Sequence, residues 1–375
     1  QGASFTVKDN YYMQAKDQSA NLPLDTQGLA ALANLYHAYF LGLQLMVSTR
    51  LGEKVMEQWM FRLFRRQHEE KFLSSFSKLG LDHLPPAVAC AQYHTLSNGM
   101  GGVPVEYIYE SATKAWVRFR YPRWMYAGPT ICGVTDAVSR GFLQGWYGHN
   151  GVSLKNPRLG FVCVSEDMTG EFGLCGYFQE FDHDLAANER LSYARQERPP
   201  AFKSADQPQA PSGQWDEARL LRAQRNYPME YLRNGLVELA GVIGPEEAQR
   251  HGELAARLIG LQYARETSEL LQMSEDEFAS PEEDLARSAM LLARLFRAMD
   301  DQVEVKADDQ GSAGVVLLHS GLRIVRGLDE AEMALVLSCW GELWSGFLSA
   351  DRRLKSLEVY LDGEGLRWLV NTNPS

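Results

Sequence analysis

The sequence predicts an α+β protein built from two tandem copies of one ligand-binding domain, each a set of helices laid on an antiparallel sheet. Three observations predict it. A helix-to-helix break at glycine occurs twice, at Leu51-Gly52-Glu53 and at Ile243-Gly244-Pro245. After each break the same order follows: a long amphipathic helix, two short β-rich runs, a glycine (Gly128, Gly327), a further helix, and a closing hairpin led by Arg-Leu. Between the two series lies ERPPAFKSADQPQAPSG, a stretch with almost no large apolar residue. Such a composition buries too little surface to offset the entropy of ordering it, so it reads as a linker. The expected domains are therefore 1–196, a linker at 197–214, and 215–375.

In the first copy the helix after Gly52 is expected to end near Phe76. Strands at 105–109 and 116–120 flank a turn at 111–113, a helix runs over 132–147, and a hairpin over 158–178 turns at Gly170. In the second copy Pro245 occupies the first helical position with Glu246 and Glu247 in the first turn, a sound helix start. That helix is expected to end near Leu271. Strands at 303–305 and 314–318 flank a turn at 308–312, a helix runs over 331–348, and the hairpin over 353–370 turns at Asp362-Gly363.

Bulk composition narrows the function. The chain has 375 residues and 42.2 kDa, enough for two domains, and 45% hydrophobic residues supply two cores. Lys and Arg number 37 against 48 Asp and Glu, a net charge of −11 that lacks the basic footprint of a nucleic-acid binder. The cluster Arg62, Arg65, Arg66 is offset by Glu69 and Glu70. The longest uncharged run, 29–47, is interrupted by Asn34, His37 and Gln44, which favours a buried core helix over a membrane span. No basic region followed by an apolar run opens the sequence, and five cysteines are an odd number for a disulfide framework. The expectation is a reduced, cytoplasmic protein with no nucleic-acid or membrane partner.

Candidate chemistry concentrates in the first copy. Along 116–120 the alternation of a strand puts Trp116, Arg118 and Arg120 on one face and Val117 and Phe119 on the other, whereas the second copy has Gly314, Val316 and Leu318 in the first set. An indole beside two guanidinium groups suits an aromatic or anionic molecule; the alternative is a solvated outer face. Tyr107, Tyr109, Trp124 and Trp146 are expected to line the same pocket. The run Trp146-Tyr147-Gly148-His149-Asn150-Gly151 reads as a turning loop in which His149 serves as general acid or base, or is simply an exposed histidine. His94 carries the same pair of readings. The glycine run at 98–102 lacks the strand–helix setting and the lysine of a phosphate loop, so nucleotide binding is excluded. The acidic run 274–284 reads as a solvated face.

Four of the five cysteines, Cys90, Cys132, Cys163 and Cys175, lie in the first copy. They read either as buried thiols acting as small hydrophobes or, for Cys132 at a helix start, as a reactive thiol whose pKa the helix dipole lowers. No Gly-x-Ser-x-Gly, His-Glu-x-x-His or Cys-x-x-Cys pattern is present.

The segments Cys132-Gly133, Gly141-Phe142-Leu143-Gln144-Gly145-Trp146 and Gly170-Glu171-Phe172-Gly173-Leu174-Cys175-Gly176-Tyr177-Phe178 resemble the 4-vinyl reductase domain and the related aminothiazoline-carboxylate hydrolase family. The likeness covers roughly 51–180 and, more faintly, 244–370. It implies helices on an antiparallel sheet, an enclosed pocket and frequent dimers, so a tandem pair would form a pseudo-dimer within one chain and leaves room for further homo-oligomers. In phenol-sensing relatives the pocket takes aromatic compounds beside a structural zinc held by three Cys and one Glu; the hydrolase relatives open a small sulfur-containing ring. Carried onto this sequence, the zinc set is Cys132, Cys163, Glu166 and Cys175. Here Glu166 follows Cys163 by three positions, whereas the pattern has the Glu first. An odd offset puts the two on opposite strand faces unless the strand bulges.

The function expected from these readings is a small-molecule enzyme of hydrolase or lyase type. Its aromatic or heterocyclic substrate, carboxylated or not, would sit in the first copy, with His149, Cys132 or His94 as the reactive group and the second copy degenerate. The alternative is a non-catalytic module for a small hydrophobic ligand: a sensor, carrier or assembly chaperone.

Overall fold

A computed structural model describes residues 24–168, 173–211, 216–308, 314–363 and 365–372. The expected turns at Gly170 and 309–312, and the end of the expected linker at 212–214, lie outside them. The class is α+β, with two sheets, each accompanied by helices. In chain order the elements are α1 (Thr26–Leu51), α2 (Glu53–Lys78), α3 (Pro86–Met100), β1 (Val105–Ser111), β2 (Lys114–Phe119), α4 (Ala137–Gly145), a single turn α5 (Asn150–Ser153), β3 (Leu159–Ser165), β4 (Cys175–Glu180) and β5 (Leu191–Tyr193). There follow α6 (Glu217–Ile243), α7 (Pro245–Leu270), α8 (Pro281–Arg297), β6 (Gln302–Ala307), β7 (Val315–Ser320), α9 (Glu330–Ser349), β8 (Lys355–Asp362) and β9 (Gly365–Thr372).

Both glycine breaks are where the pattern put them. Gly52 has φ 83° and Gly244 φ 89°, a backbone region open to glycine at little cost. A second pair of glycine devices recurs. A Cβ on Gly141 would stand 2.6 Å from the Glu57 carbonyl oxygen, and one on Gly346 would stand 2.1 Å from that of Arg257. Lacking side chains, these residues let α4 lie against the backbone of α2, and α9 against that of α7.

The compact units divide elsewhere than at the expected linker. One comprises Leu43–Pro245; the other comprises Gln1–Gly42 with Glu246–Ser375. The boundaries fall inside α1 and at the break between α6 and α7, so each sheet's unit takes a helix from the other half of the sequence. In the first-sheet unit α6 buries Met229, Leu232, Leu236 and Leu239. It holds α2 through Trp59 Nε1 donating to the Gly235 carbonyl (2.7 Å), Asn234 Nδ2 to Glu70 (3.1 Å) and Arg62 to Glu238 (2.8 Å). In the second-sheet unit the Tyr39 hydroxyl donates to the Gly252 carbonyl at 2.8 Å, and Trp340 Nε1 to the Tyr36 hydroxyl at 3.1 Å. Arg294 grips Asp25 at 2.7 Å. By length and composition α1 is the one helix among the described residues able to cross a membrane, yet Leu32, Leu35, Tyr36 and Phe40 are wholly buried in protein.

The first sheet has the order β1-β2-β4-β3-β5, antiparallel except for β3 with β5; the second has β6-β7-β9-β8, antiparallel throughout. The fifth strand, Leu191–Tyr193, lies just before the expected linker. From Phe181 onward the chain runs as a strap along the first sheet: Leu191–Tyr193 pairs with β3, and Glu197 accepts from the Tyr177 hydroxyl (2.9 Å) and Lys114 (3.2 Å). Gln207 accepts from Tyr107 N–H at 3.0 Å and donates to Tyr107 C=O at 2.7 Å, capping the β1 edge. The described part of the expected linker is therefore bound. Polar side chains hold it to the sheet by hydrogen bonds, where other segments are held by buried apolar surface.

The acidic run also turns inward in part. Ser280 caps α8 through a reciprocal pair with Glu283, and the buried Asp284 meets the buried Lys355 at 2.7 Å.

Candidate functional site

Strand pairing decides which predicted residues share a site. Ile108 faces Trp116 across β1 and β2, and Tyr107 faces Val117. Directly opposed residues point to the same side of a sheet, so Tyr107 lies on the face opposite Trp116, and Tyr109 is half exposed. Trp116 is 1% exposed. It is buried with Ile108, Val162, Val164, Cys175 and Tyr177, with Phe181 and Ala194 of the strap partly covering the group. Its indole donates to Glu110 at 2.6 Å. Arg118 and Arg120 both reach Glu106, at 2.7 and 3.1 Å, so their charges are met by a neighbouring strand. The expected sheet-face site is thus a satellite core with a rim of ion pairs.

The zinc set does not assemble, and among the described residues no group of three His, Cys, Asp or Glu could hold a metal ion. A bulge does fall between Cys163 and Ser165, as the odd offset requires. However, Cys175 belongs to the satellite core, Glu166 pairs with Arg195, and Cys132 is exposed. Burial pushes the Cys163 and Cys90 thiols up strongly and that of Cys175 up to about 12. Cys132 ends a 3-10 turn over Gly128–Cys132, and α4 begins only at Ala137, so the helix-start argument for a reactive thiol lapses.

What the first-sheet unit does contain is a cavity of about 30 Å³. Three helices present residues to it at helical spacing: His94, Ser97 and Asn98 from α3, Phe142 and Trp146 from the end of α4, and Tyr227 and Tyr231 from α6. Phe64 of α2, Phe119 of β2, and Arg123 and Trp124 of the connection after β2 complete the lining. The rings pack edge to face, Phe64 with Phe142 at 4.7 Å and Trp124 with Tyr231 at 5.2 Å. Ser97, Asn98 and Tyr227 are only half buried and form its open side.

Arg123 is the charged group of this lining and is 2% exposed. Its Nη1 donates to Asp167 at 2.9 Å and to Ser139 at 3.3 Å, and Ser139 donates to Asp167 at 2.8 Å. The guanidinium sits 4.5 Å from the Phe142 ring centre and 5.1 Å from that of Phe119. Burial opposes its charge, but Asp167, Tyr126 and Tyr147 outweigh burial and raise its pKa. A buried pair broken on one side costs about 3–5 kcal/mol, which is what holds this one together. Nε of Arg123, Nε1 of Trp146 and the Tyr147 hydroxyl have no hydrogen-bond partner.

Of the predicted residues, His94, Trp124 and Trp146 come together here; the others do not. Burial, reinforced by His68, holds His94 well below its ordinary pKa, and Asn150 Nδ2 donates to its Nε2 at 2.9 Å. His149 follows Trp146 in a short 3-10 turn, and its ring lies 5.1 Å from that of the buried His68. Burial, then Arg65 and Arg190, lowers it to about 4, so at neutral pH it is an uncharged base. Arg123, Phe142, Asn98, Tyr227 and Tyr231 were not anticipated as site residues. Pairs four apart (His94/Asn98, Phe142/Trp146, Tyr227/Tyr231) carried the signal, but the expected linker assigned the two tyrosines to the other copy.

Compared with protein-family models, curated proteins and solved structures, the chain shows no match in any of the three.

Proposed function

We propose that this chain is a binding module for a small organic molecule, and that the cavity of the first-sheet unit is its site. The observation that carries this reading is a buried, aromatic-lined cavity whose walls keep polar donors without partners. Buried polar groups are nearly always satisfied, and exceptions mark places where something else completes them. Binding is favoured over hydrolase or lyase turnover because neither Cys132 nor His149 lines the cavity, and His94 is fastened to Asn150. The resemblance of 132–133, 141–146 and 170–178 to the 4-vinyl reductase domain is in keeping with the same reading, since phenol-sensing members of that group enclose their ligand.

Size sets a condition. An engineered cavity of about 150 Å³ takes benzene, so at about 30 Å³ a ring enters here only when lining residues such as Ser97, Asn98 and Tyr227 move aside. The test is titration of ¹⁵N-labelled protein with a panel of small alcohols, acids, amides and phenols, followed at the tryptophan indoles. Ligand entry is expected to shift Trp124 and Trp146 and to leave Trp116, on the opposite face of the sheet, unmoved. Phe142→Leu, which loosens the lining, is expected to admit larger members. A panel that shifts neither Trp124 nor Trp146, in wild type and in Phe142→Leu alike, removes the proposal.

A further inference from the structure

Resting on that binding reading, we infer that the cavity recognises a carboxylate, held on the Nε/Nη2 edge of Arg123 and by the indole N–H of Trp146. A guanidinium offers five N–H donors in a planar fork and binds carboxylates best along an edge, two bonds at a time. Here one end is occupied: Nη1 serves Asp167 and Ser139. Both aromatic neighbours, Phe119 and Phe142, engage the guanidinium as a cation over their rings. The remaining edge is nearly bare. Nη2 reaches the Met125 sulfur at 3.6 Å, a weak acceptor, and Nε meets no acceptor of the protein. The side chain is 2% exposed, so bulk water does not supply what is missing.

A second residue of the same lining, Trp146, carries an unmet donor. Trp146 Nε1 is buried without a partner, although buried indole N–H groups ordinarily find one. Arg123 and Trp146 belong to different elements, the connection after β2 and the end of α4. Their unsatisfied atoms are all donors, so the missing group is an acceptor. A carboxylate has two oxygens, and about 30 Å³ is room for roughly two water-sized groups. Its substituent would leave toward Ser97, Asn98 and Tyr227, where the lining is half buried. Asp167 already balances the charge of Arg123, so the carboxylate enters as a hydrogen-bond acceptor with matched geometry more than as a counter-ion.

The experiment compares acetate with its neutral isostere acetamide at constant ionic strength, reading the Arg123 Nε and Trp146 indole resonances. Acetate is expected to bind at least ten-fold tighter and to move both. Trp146→Phe keeps an aromatic ring but removes the N–H together with the pyrrole half of the indole, so it is read as a ratio: the preference for acetate over acetamide is expected to fall roughly ten-fold. Arg123→Lys keeps a charge for Asp167 but loses the fork, and is expected to weaken acetate further. Propionate and benzoate then measure how far the open side extends. Equal binding of acetate and acetamide, wild-type titrations in Trp146→Phe, or the same shifts with chloride overturns the inference. If a neutral alcohol enters and acetate does not, the carboxylate inference falls and the binding module stands; if nothing enters, both fall.

Discussion

The two sheets agree through four strands and part at the fifth. β1-β2-β4-β3 and β6-β7-β9-β8 have the same order, but the β3 edge is paired by β5, whereas β8 ends its sheet with Tyr360 and Leu361 49% and 80% exposed. The cores differ as well. The second-sheet unit buries Trp340, Trp344 and Trp368 around Phe296 and His319, with His319 Nε2 at 2.9 Å from Asp301 and Trp368 Nε1 donating to its Nδ1 at 3.2 Å. Both units leave a buried indole N–H without a protein partner, Trp146 Nε1 and Trp344 Nε1, but the first-sheet unit also places Arg123, its Nε unmet, beside a cavity. One order of elements can thus be packed with its central histidine bonded at both nitrogens, or left with a polar gap. The gap marks the candidate site.

The strongest way to break that comparison is to remove the carboxylate in each unit. Asp167→Ala strands a buried guanidinium and is expected to cost about 3–5 kcal/mol. Asp301→Ala takes acceptors from His319 and from the Arg323 N–H, and is expected to cost about 1–3 kcal/mol. Urea unfolding of both variants decides it; equal losses would mean that the two buried polar centres are energetically alike. The shared part of the frame is probed next. Gly145→Ala would set a Cβ 2.7 Å from the Phe61 carbonyl oxygen, and Gly346→Ala one 2.1 Å from that of Arg257. Each is expected to lose about 1–3 kcal/mol, with Gly346→Ala the worse. A neutral result at either position would show that the helices separate without penalty.

Protonation sharpens the contrast further. Burial, then His149 and Arg65, lowers His68 to about 3, against about 6.5 in an unfolded chain. A depressed histidine is neutral in the fold, so its contribution is complete above about pH 6.5 and lost as pH falls toward the folded value, because the unfolded chain binds the proton first. Between pH 6.5 and 4 wild type is expected to lose stability with a slope of at most about 1.4 kcal/mol per pH unit from this group. His68→Gln should flatten the curve; an unchanged slope would show that His68 is not held neutral. The smallest expected effect concerns the strap. Gln207→Ala removes two hydrogen bonds to Tyr107 at a cost of about 1 kcal/mol. Hydrogen exchange at the Tyr107 amide should accelerate in that variant. Unchanged protection would mean that the strap is held elsewhere.

Much of the secondary structure was legible because its causes are local. Gly52 and Gly244 break helices, Pro245 starts one, and Asp362-Gly363 closes a hairpin whose strands are β8 and β9. The helix expected over 132–147 shrank to Ala137–Gly145 because the residues after Gly128 take a 3-10 turn first. The strap was misread because Glu197 and Gln207 look like solvent-facing residues until the backbone groups they satisfy are known.

By itself the sequence determined the order of most elements, α3, α8 and β5 excepted, the glycine boundaries and the alternation within β2, all properties of residues within a turn or two of each other. Only the tertiary structure decided membership and sidedness: that α6 completes the first sheet's unit, that Trp116 packs beneath the strap, and that Arg123 finds Asp167. Those outcomes rest on contacts such as Trp59 with Gly235 and Arg123 with Asp167, 176 and 44 residues apart. Chain-local propensity carries no information about which distant partner a buried polar group will meet, because burial and hydrogen bonding are settled together when the core closes.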